Sequence, residues 1–304
     1  MEEMGFESQE NKPFKNIGLF AKYNNTSISE AFEHLVKFLE KEGCNLFIEA
    51  KSNAMLRAHH FPVLPKETIA EKCDLIIVVG GDGSLLNAAR SVVRYQVPIV
   101  GINRGRLGFL ADIRPHEIEK KLTPILKGNY TSEQRFLLSA CIVREGEILM
   151  ENQALNDIVL YTGAIARMIE FEVHIDDRFV LRQRADGLIA ATPTGSTAYA
   201  LSGGGPILYP TLNTIVLVPM FPHTLTSRPI VVGNASHIKW IVTENNEISP
   251  KLSFDGQLHL DLEPGDEIVI QKYEHELTLV HPANHDYFMV LREKLGWSTN
   301  PIKN

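Results

Sequence analysis

Much that would give a quick answer is missing from this sequence. Its 304 residues hold only three cysteines, Cys44, Cys73 and Cys141. An odd number without metal-ligand spacing excludes a disulfide framework and a cysteine zinc site, and points to a reducing, cytoplasmic compartment. No apolar run approaches the length of a bilayer span, so a membrane anchor is not expected. No Lys/Arg cluster stands out and the net charge is −7, which removes the electrostatic ground for nucleic acid. There is no G-x-x-x-x-G-K-[ST], no complete G-x-G-x-x-G and no G-x-S-x-G, so two familiar phosphate loops and the serine-hydrolase elbow are absent. Internal repeats and low-complexity segments are also absent. An anionic substrate must therefore meet a few local groups or bring its own cation.

What remains is ordinary in bulk and unusual in two places. Hydrophobic residues make up 44% and charged residues 22%, enough to build two cores in a chain of this length. The opening MEEMGFESQENKPFKN is polar and acidic, unlike a signal or transit peptide, and residues 1–14 are expected to be a disordered tail.

The first unusual stretch is CDLIIVVGGDGSLLNAAR. Leu75 to Val79 is an unbroken aliphatic run, the mark of a strand buried on both faces. Leu85, Ala89 and Val92 then follow at helical spacing. Between them lies Gly80-Gly81-Asp82-Gly83. Glycines let a backbone approach an anion, and a helix start offers free N–H groups, so the bend suits phosphate. Asp82 would repel one, unless it binds a hydroxyl, a metal or a proton in transfer. An ordinary turn with Asp82 as a helix cap is the plainer alternative.

Around this bend, Ile17–Phe20, Leu46–Ile48 and Pro98–Ile102 read as strands. Ile28, Phe32, Leu35 and Leu39 mark one helix, and Ile118, Leu122, Ile125 and Leu126 another that Pro124 should kink or break. Alternating strands and helices predict an α/β domain with a Rossmann-like parallel sheet over 15–129. Ligands in such sheets lie beyond the strand carboxyl ends, where GGDG and the loop from Asn103 to Gly108 both fall.

The period changes near Arg135. Ile169, Phe171, Val173 and Ile175 alternate with polar residues, and short strands recur at Ile215–Val218, Ile238–Val242, Leu258–Leu262 and Glu267–Ile270. Residues 130–285 are expected to form an all-β sandwich. Tyr287, Val290 and Leu291 restore a helical stripe over 286–304, which should return to the first domain.

The second unusual stretch runs from Asp186. Thr192, Thr194, Ser196, Thr197, Tyr199 and Ser202 put six hydroxyl groups into eleven residues beside Gly195, Gly203, Gly204 and Gly205. Short hydrogen bonds and close backbone approach suit a nucleotide; a Gly/Ser surface loop is the alternative.

Taken together, GGDG at 80–83, GINRGRLGFL at 101–110, Asn156-Asp157, DGLIAATPTGSTAYALSGGGP at 186–206, PHTLTSRP at 222–229 and SFDGQ at 253–257 resemble the NAD kinases, most closely those of Gram-negative bacteria. GGDG alone is shared with lipid and sphingoid-base kinases and with phosphofructokinases; TPTGSTAY with PHTL and SFDGQ is far more specific. The resemblance implies transfer of a phosphoryl group from ATP, carried with a divalent metal such as Mg, to the adenosine 2′-hydroxyl of NAD, giving NADP. It implies an α/β domain and a β-sandwich that both contribute to the site, and a homodimer or homotetramer. By the same resemblance Asp82 is the general base and Gly80, Gly81 and Gly83 cradle phosphate. Asn156, Asp157, Arg167, Arg184, Asp186, Thr197, Ala198, Tyr199, Ala200, Ser202 and Gln257 would contact the dinucleotide, with no protein-held metal. Asp157 stands where most members carry Glu. An Asx turn at Asn156-Asp157 and an exposed strand arginine at Arg184 are the competing structural explanations. His223 suits a backbone hydrogen bond as well as phosphate. A lipid kinase or a non-catalytic dinucleotide sensor are the two rival functions.

Overall fold

The computed structural model describes residues 12–21, 26–56, 59–105, 107–163 and 167–297. Most of the expected tail, together with Arg106, lies outside the described residues. The chain divides into two compact units, Met1–Glu133 with Thr278–Asn304, and Gln134–Leu277.

The first unit begins with β1 (Asn16–Ala21), α1 (Thr26–Lys41), β2 (Asn45–Glu49) and β3 (Val63–Leu64). It continues with α2 (Lys66–Lys72), β4 (Leu75–Val79), α3 (Asp82–Val92), β5 (Ile99–Ile102) and α4 (Ile118–Leu126). The strands pair in parallel in the order β5-β4-β1-β2-β3. All five residues of β4 are buried, because both faces of a parallel sheet are covered. Ala21 lies opposite Val79 and Val79 opposite Ile102, so the carboxyl ends of three strands come level. The GGDG bend leaves the sheet at that edge. The helical stripe Ile28, Phe32, Leu35 and Leu39 is fully buried in one core with the sheet residues Leu19, Ile77 and Val100. Gly43, with φ of +70°, supplies the left-handed turn after α1. Pro124, expected to kink or break this helix, falls inside α4, which ends two residues later at Leu126.

The second unit contains β7 (Glu147–Ala154), β8 (Asp157–Thr162), β9 (Ile169–Ile175), β10 (Arg178–Ala185), β11 (Gly187–Ala191) and the single turn α5 (Tyr199–Ser202). It then adds β12 (Thr214–Met220), β13 (Ile230–Gly233), β14 (Ile238–Val242), β15 (Pro250–Phe254) and β16 (Leu258–Asp261). The chain enters this unit along β6 (Tyr130–Arg144) and leaves it along β17 (Glu267–Pro282); α6 (Tyr287–Leu295) follows in the first unit. The division therefore falls at 133/134 and 277/278, inside these two long strands, a few residues within the expected limits of 130 and 285.

Six antiparallel strands form one sheet in the order β13-β12-β11-β8-β15-β16, while β10, β9 and β14 pair antiparallel in another. Phe171, Trp240, Leu160, Leu188 and Phe254 from the two sheets share one buried core, the interior of a sandwich. On the other face of the six-stranded sheet, Ala200 and Leu208 pack on Val159, Ile189, Val216 and Val218. The glycine- and hydroxyl-rich block thus packs on a sheet face, with Thr192, Thr194, Gly195 and Ser196 buried and Ser202, Gly203 and Gly204 exposed, so the surface-loop alternative fails for its first half.

Candidate functional site

In the first unit the bend is set by backbone contacts. Gly80 N–H donates to the Ile102 carbonyl at 2.8 Å, and the Gly81 carbonyl accepts from Ser84 N–H at 2.9 Å. A Cβ on Gly80 would lie 2.4 Å from Ser84 Oγ, whereas one on Gly81 would meet nothing within 4 Å among the described residues. Among the described residues, Gly81 therefore leaves open room at the helix start.

Asp82 opens α3, and its carboxylate is gripped by the following loop. Oδ2 accepts from Phe109 N–H at 3.0 Å, and Oδ1 from Leu110 N–H at 3.1 Å and Ala111 N–H at 3.3 Å. The loop can wrap this closely because residue 108 is glycine; a Cβ there would stand 2.2 Å from Asp82 Oδ1. Asn103 staples the loop's base, donating from its side chain to the Ala111 carbonyl at 3.2 Å and accepting from Gly105 N–H at 2.6 Å. The motif GINRGRLGFL is in effect the holder of Asp82.

In the second unit an equivalent holder surrounds the start of β8. Asp255 accepts from Leu155 N–H at 3.2 Å, Asn156 N–H at 2.7 Å and Asp157 N–H at 3.3 Å. Asp255 and Gly256 take left-handed φ values of +52° and +61°, which turns the SFDGQ element back on itself and leaves Gln257 exposed beside it. The Asn156 carbonyl accepts from Thr192 N–H at 2.9 Å, and the chain passes so near that a Cβ on Gly195 would fall 2.0 Å from that carbonyl. Thr192 Oγ1 donates to the Leu155 carbonyl at 2.6 Å.

Asp157 is buried at 4% exposure. Burial pushes its carboxyl up to about 7, neighbouring Asp255 adds to the rise, and a hydrogen bond from Tyr199 N–H opposes it. Tyr199 itself is half exposed, Thr197 and Ala198 are partly exposed, Ala200 is buried and Ser202 is exposed. Asn156, Asp157, Tyr199 and the Asp255 turn are thus brought together.

Asp186 links β10 to β11, its N–H donating to the Met220 carbonyl at 3.0 Å. Arg184 is exposed, and its carbonyl accepts from His223 N–H at 3.0 Å. Buried Gln183 donates to Thr224 Oγ1 at 3.2 Å and Ser227 Oγ at 2.9 Å, tying the PHTLTSRP loop beside these two residues. Arg167 lies at the surface, paired with Glu247 at 2.7 Å. Burial raises all three cysteine thiols, Cys73 to about 12, which leaves none suited to act as a nucleophile.

Three features escaped the sequence: the N–H donors at 109–111, the Asp255 holder, and a cluster of Asp112, His281 and His285. The first two are backbone contacts and carry no side-chain signal beyond Gly108 and the Asp255-Gly256 pair. The third joins residues far apart in the chain.

Comparison with known proteins agrees with this layout. Residues 17–130 match the ATP-NAD kinase N-terminal domain and residues 155–282 the ATP-NAD kinase C-terminal domain. An NAD kinase of Hahella chejuensis is 50% identical over 287 residues, covering 94% of this chain and 97% of that protein. The crystal structure of yeast NADH kinase complexed with NADH superimposes with a TM-score of 0.88 at 27% identity, covering 96% of this chain and 91% of that one. An NAD kinase from Archaeoglobus fulgidus in complex with ATP does so with a TM-score of 0.72 at 25% identity, covering 91% and 99%. With both domain models matched and half of 287 aligned residues identical to a relative covered to 97%, the chain belongs to the ATP-NAD kinase family, the ATP-dependent kinases of NAD.

Proposed function

We propose that this chain moves the γ-phosphoryl group of ATP to the adenosine 2′-hydroxyl of NAD, with Asp82 as the general base. The observation that carries the assignment is the Asp82 carboxylate, fixed by three backbone N–H groups at the start of a helix that leaves the carboxyl edge of a parallel sheet. The 2′-oxygen attacks phosphorus, the bond from the γ-phosphorus to its bridging oxygen breaks, ADP leaves, and the hydroxyl proton passes to Asp82. Asp82 Oδ2 accepts one hydrogen bond, from Phe109 N–H, and keeps a lone pair for the hydroxyl. Gly80, Gly81 and Gly83 would approach the phosphates through backbone N–H groups.

The divalent cation is carried with ATP as substrate, because among the described residues Asp82 belongs to no group of three or more metal-ligating side chains. When bound with the triphosphate it offsets the negative charge that meets the incoming oxygen.

The dinucleotide contacts rest on the second unit. Asn156 would pair with an adenine edge or ribose, and Asp157 would accept from ribose hydroxyls. Ala198, Ala200, Thr197 and Ser202 would line the ligand, and half-exposed Tyr199 would stack on a ring. Arg184, Asp186 and Gln257 would reach its other end, and Arg167 would have to leave Glu247 to join them. We further propose a cytoplasmic homodimer or homotetramer, which light scattering of the purified chain would test.

The assay is NADP formation from NAD with ATP and Mg, run beside NADH, other triphosphates and polyphosphate. Asp82→Asn should lower turnover by about 10³-fold while NAD affinity stays within a few fold. Turnover left intact in that variant sinks the base assignment, and no NADP from the unaltered chain sinks the whole reading.

A further inference from the structure

The three N–H donors that hold Asp82 are followed at once by Asp112, whose side chain turns to the end of the chain. Asp112 Oδ2 lies 2.9 Å from His281 Nδ1 and 2.8 Å from His285 Nδ1. An ionised carboxylate only accepts, so both rings carry their proton on Nδ1. Asp112 and His281 are buried, at 5% and 1% exposure. Burial alone would raise the Asp112 carboxyl; the hydrogen bonds from His281 and His285 outweigh it and hold the group well below the usual carboxylate range.

The ligand atoms of Asp112, His281 and His285 lie within 4.8 Å of one another, close enough to consider a metal. The two imidazoles are stacked, however, with centroids 4.0 Å apart and planes 22° from parallel. An ion bound in the plane of both rings needs planes that converge on it, which stacked rings do not provide. Two N–H donors sharing one oxygen fit the arrangement better.

The same C-terminal segment touches the loop on either side of Asp112. Lys294 Nζ lies 5.7 Å from the centre of the Phe109 ring, and Phe109 is one of the three donors to Asp82. Arg114 Nη2 meets both oxygens of Glu293, at 2.8 and 3.1 Å. The segment is itself fixed: Asp286 caps α6 by accepting from Phe288 N–H at 2.8 Å, and Tyr287, Val290 and Leu291 are buried.

We propose that residues 281–294 act as a brace for the 109–111 loop, with Asp112, His281 and His285 as positioning residues that aim Asp82 without touching substrate. The inference rests on the assignment of Asp82 as the base. His285 is the place to test it, because Asn can present an amide nitrogen close to where His holds Nδ1. His285→Ala should cost roughly 10-fold in kcat with KM for NAD within about 2-fold, since a slightly misplaced base slows transfer more than it weakens binding. His285→Asn should recover most of the loss.

Asp112→Asn supplies the second arm, in a double-mutant cycle with Asp82→Asn. If the brace works through Asp82, Asp112→Asn lowers kcat in the unaltered enzyme and adds almost nothing once Asp82 is Asn. Full additivity, an equal loss in His285→Asn and His285→Ala, or a change confined to KM would each overturn the brace. So would a transition metal retained at one per chain after dialysis against chelator, because the carboxylate would then be serving an ion. An Asp82→Asn enzyme that keeps its turnover would instead refute the base assignment itself, so the two failures read differently.

Discussion

Asp82 in the first unit and Asp255 in the second are held by one device applied twice. Each carboxylate accepts from three consecutive backbone N–H groups, 109–111 in one case and 155–157 in the other. Asp157 stands beside Asp255 and lacks that provision: the pKa-lowering contact it has is one N–H, from Tyr199, set against near-complete burial and a neighbouring carboxylate. Oriented amides offset part of the cost of taking a carboxylate out of water, and for buried Asp157 one amide is too few. The two holders differ in purpose. The first aims a side chain that is expected to react; the second shapes a backbone that is expected to bind.

The sharpest way to break the comparison is at Gly108. A Cβ there would stand 2.2 Å from Asp82 Oδ1 and 3.1 Å from the Ala111 carbonyl. The smallest added atom thus strikes the carboxylate first and the loop second. Gly108→Ala is expected to push Asp82 off its donors and lower kcat by about 100-fold, with NAD binding little changed. A variant with normal kcat would show that the grip of the 109–111 loop has no part in turnover.

Asp157 offers the second test, through pH. Its folded carboxyl titrates near 7, well above the ordinary carboxylate value it regains on unfolding. Between those two values the unfolded chain binds fewer protons than the folded one, so stability falls as pH rises through the window and levels off above it. The full loss is on the order of a few kcal/mol. Asp157→Asn has no proton to lose and should abolish that part of the slope, measured as urea midpoints at pH 5 and pH 8. Parallel slopes in the two proteins would mean that Asp255 or Tyr199 accommodates the charge more fully than the geometry indicates.

Much of this was legible beforehand, for reasons that differ between the units. The run Leu75–Val79 and the stripe Leu85, Ala89, Val92 coincide with β4 and α3, because a buried parallel strand and an amphipathic helix each write their period into the residues. In the sandwich, alternation exposed β9, but β7 was missed: its residues 147–151 are all exposed, so no buried face marks it. The hydroxyl-rich block suits a nucleotide, with a surface loop as the alternative, because small residues fit both a solvent turn and a close-packed segment; the packing of Ala200 and Leu208 on Val216 and Val218 shows which part is buried. Asp82 stood out as a carboxylate in a phosphate bend. Its holder did not, since peptide N–H groups belong to every residue, and neither did Asp112 with His281 and His285, which are joined across more than 160 positions.

The smallest expected effect concerns a cation that the dinucleotide reading would recruit. Arg167 is paired with Glu247 at 2.7 Å, with side-chain exposures of 58% and 80%. A pair this exposed is screened by water and salt, so Arg167→Ala should cost about 0.2–1 kcal/mol of stability at low salt and less as salt is added. If backbone amides carry the binding site's electrostatics, the variant should also keep KM for NAD within about 3-fold, since one solvated cation adds little to a site already served by oriented N–H groups. A tenfold rise in KM with unchanged stability would place Arg167 on the ligand instead. The second unit would then rely on a mobile side-chain charge where the first relies on fixed amides, and the parallel between the two holders would stop at their geometry.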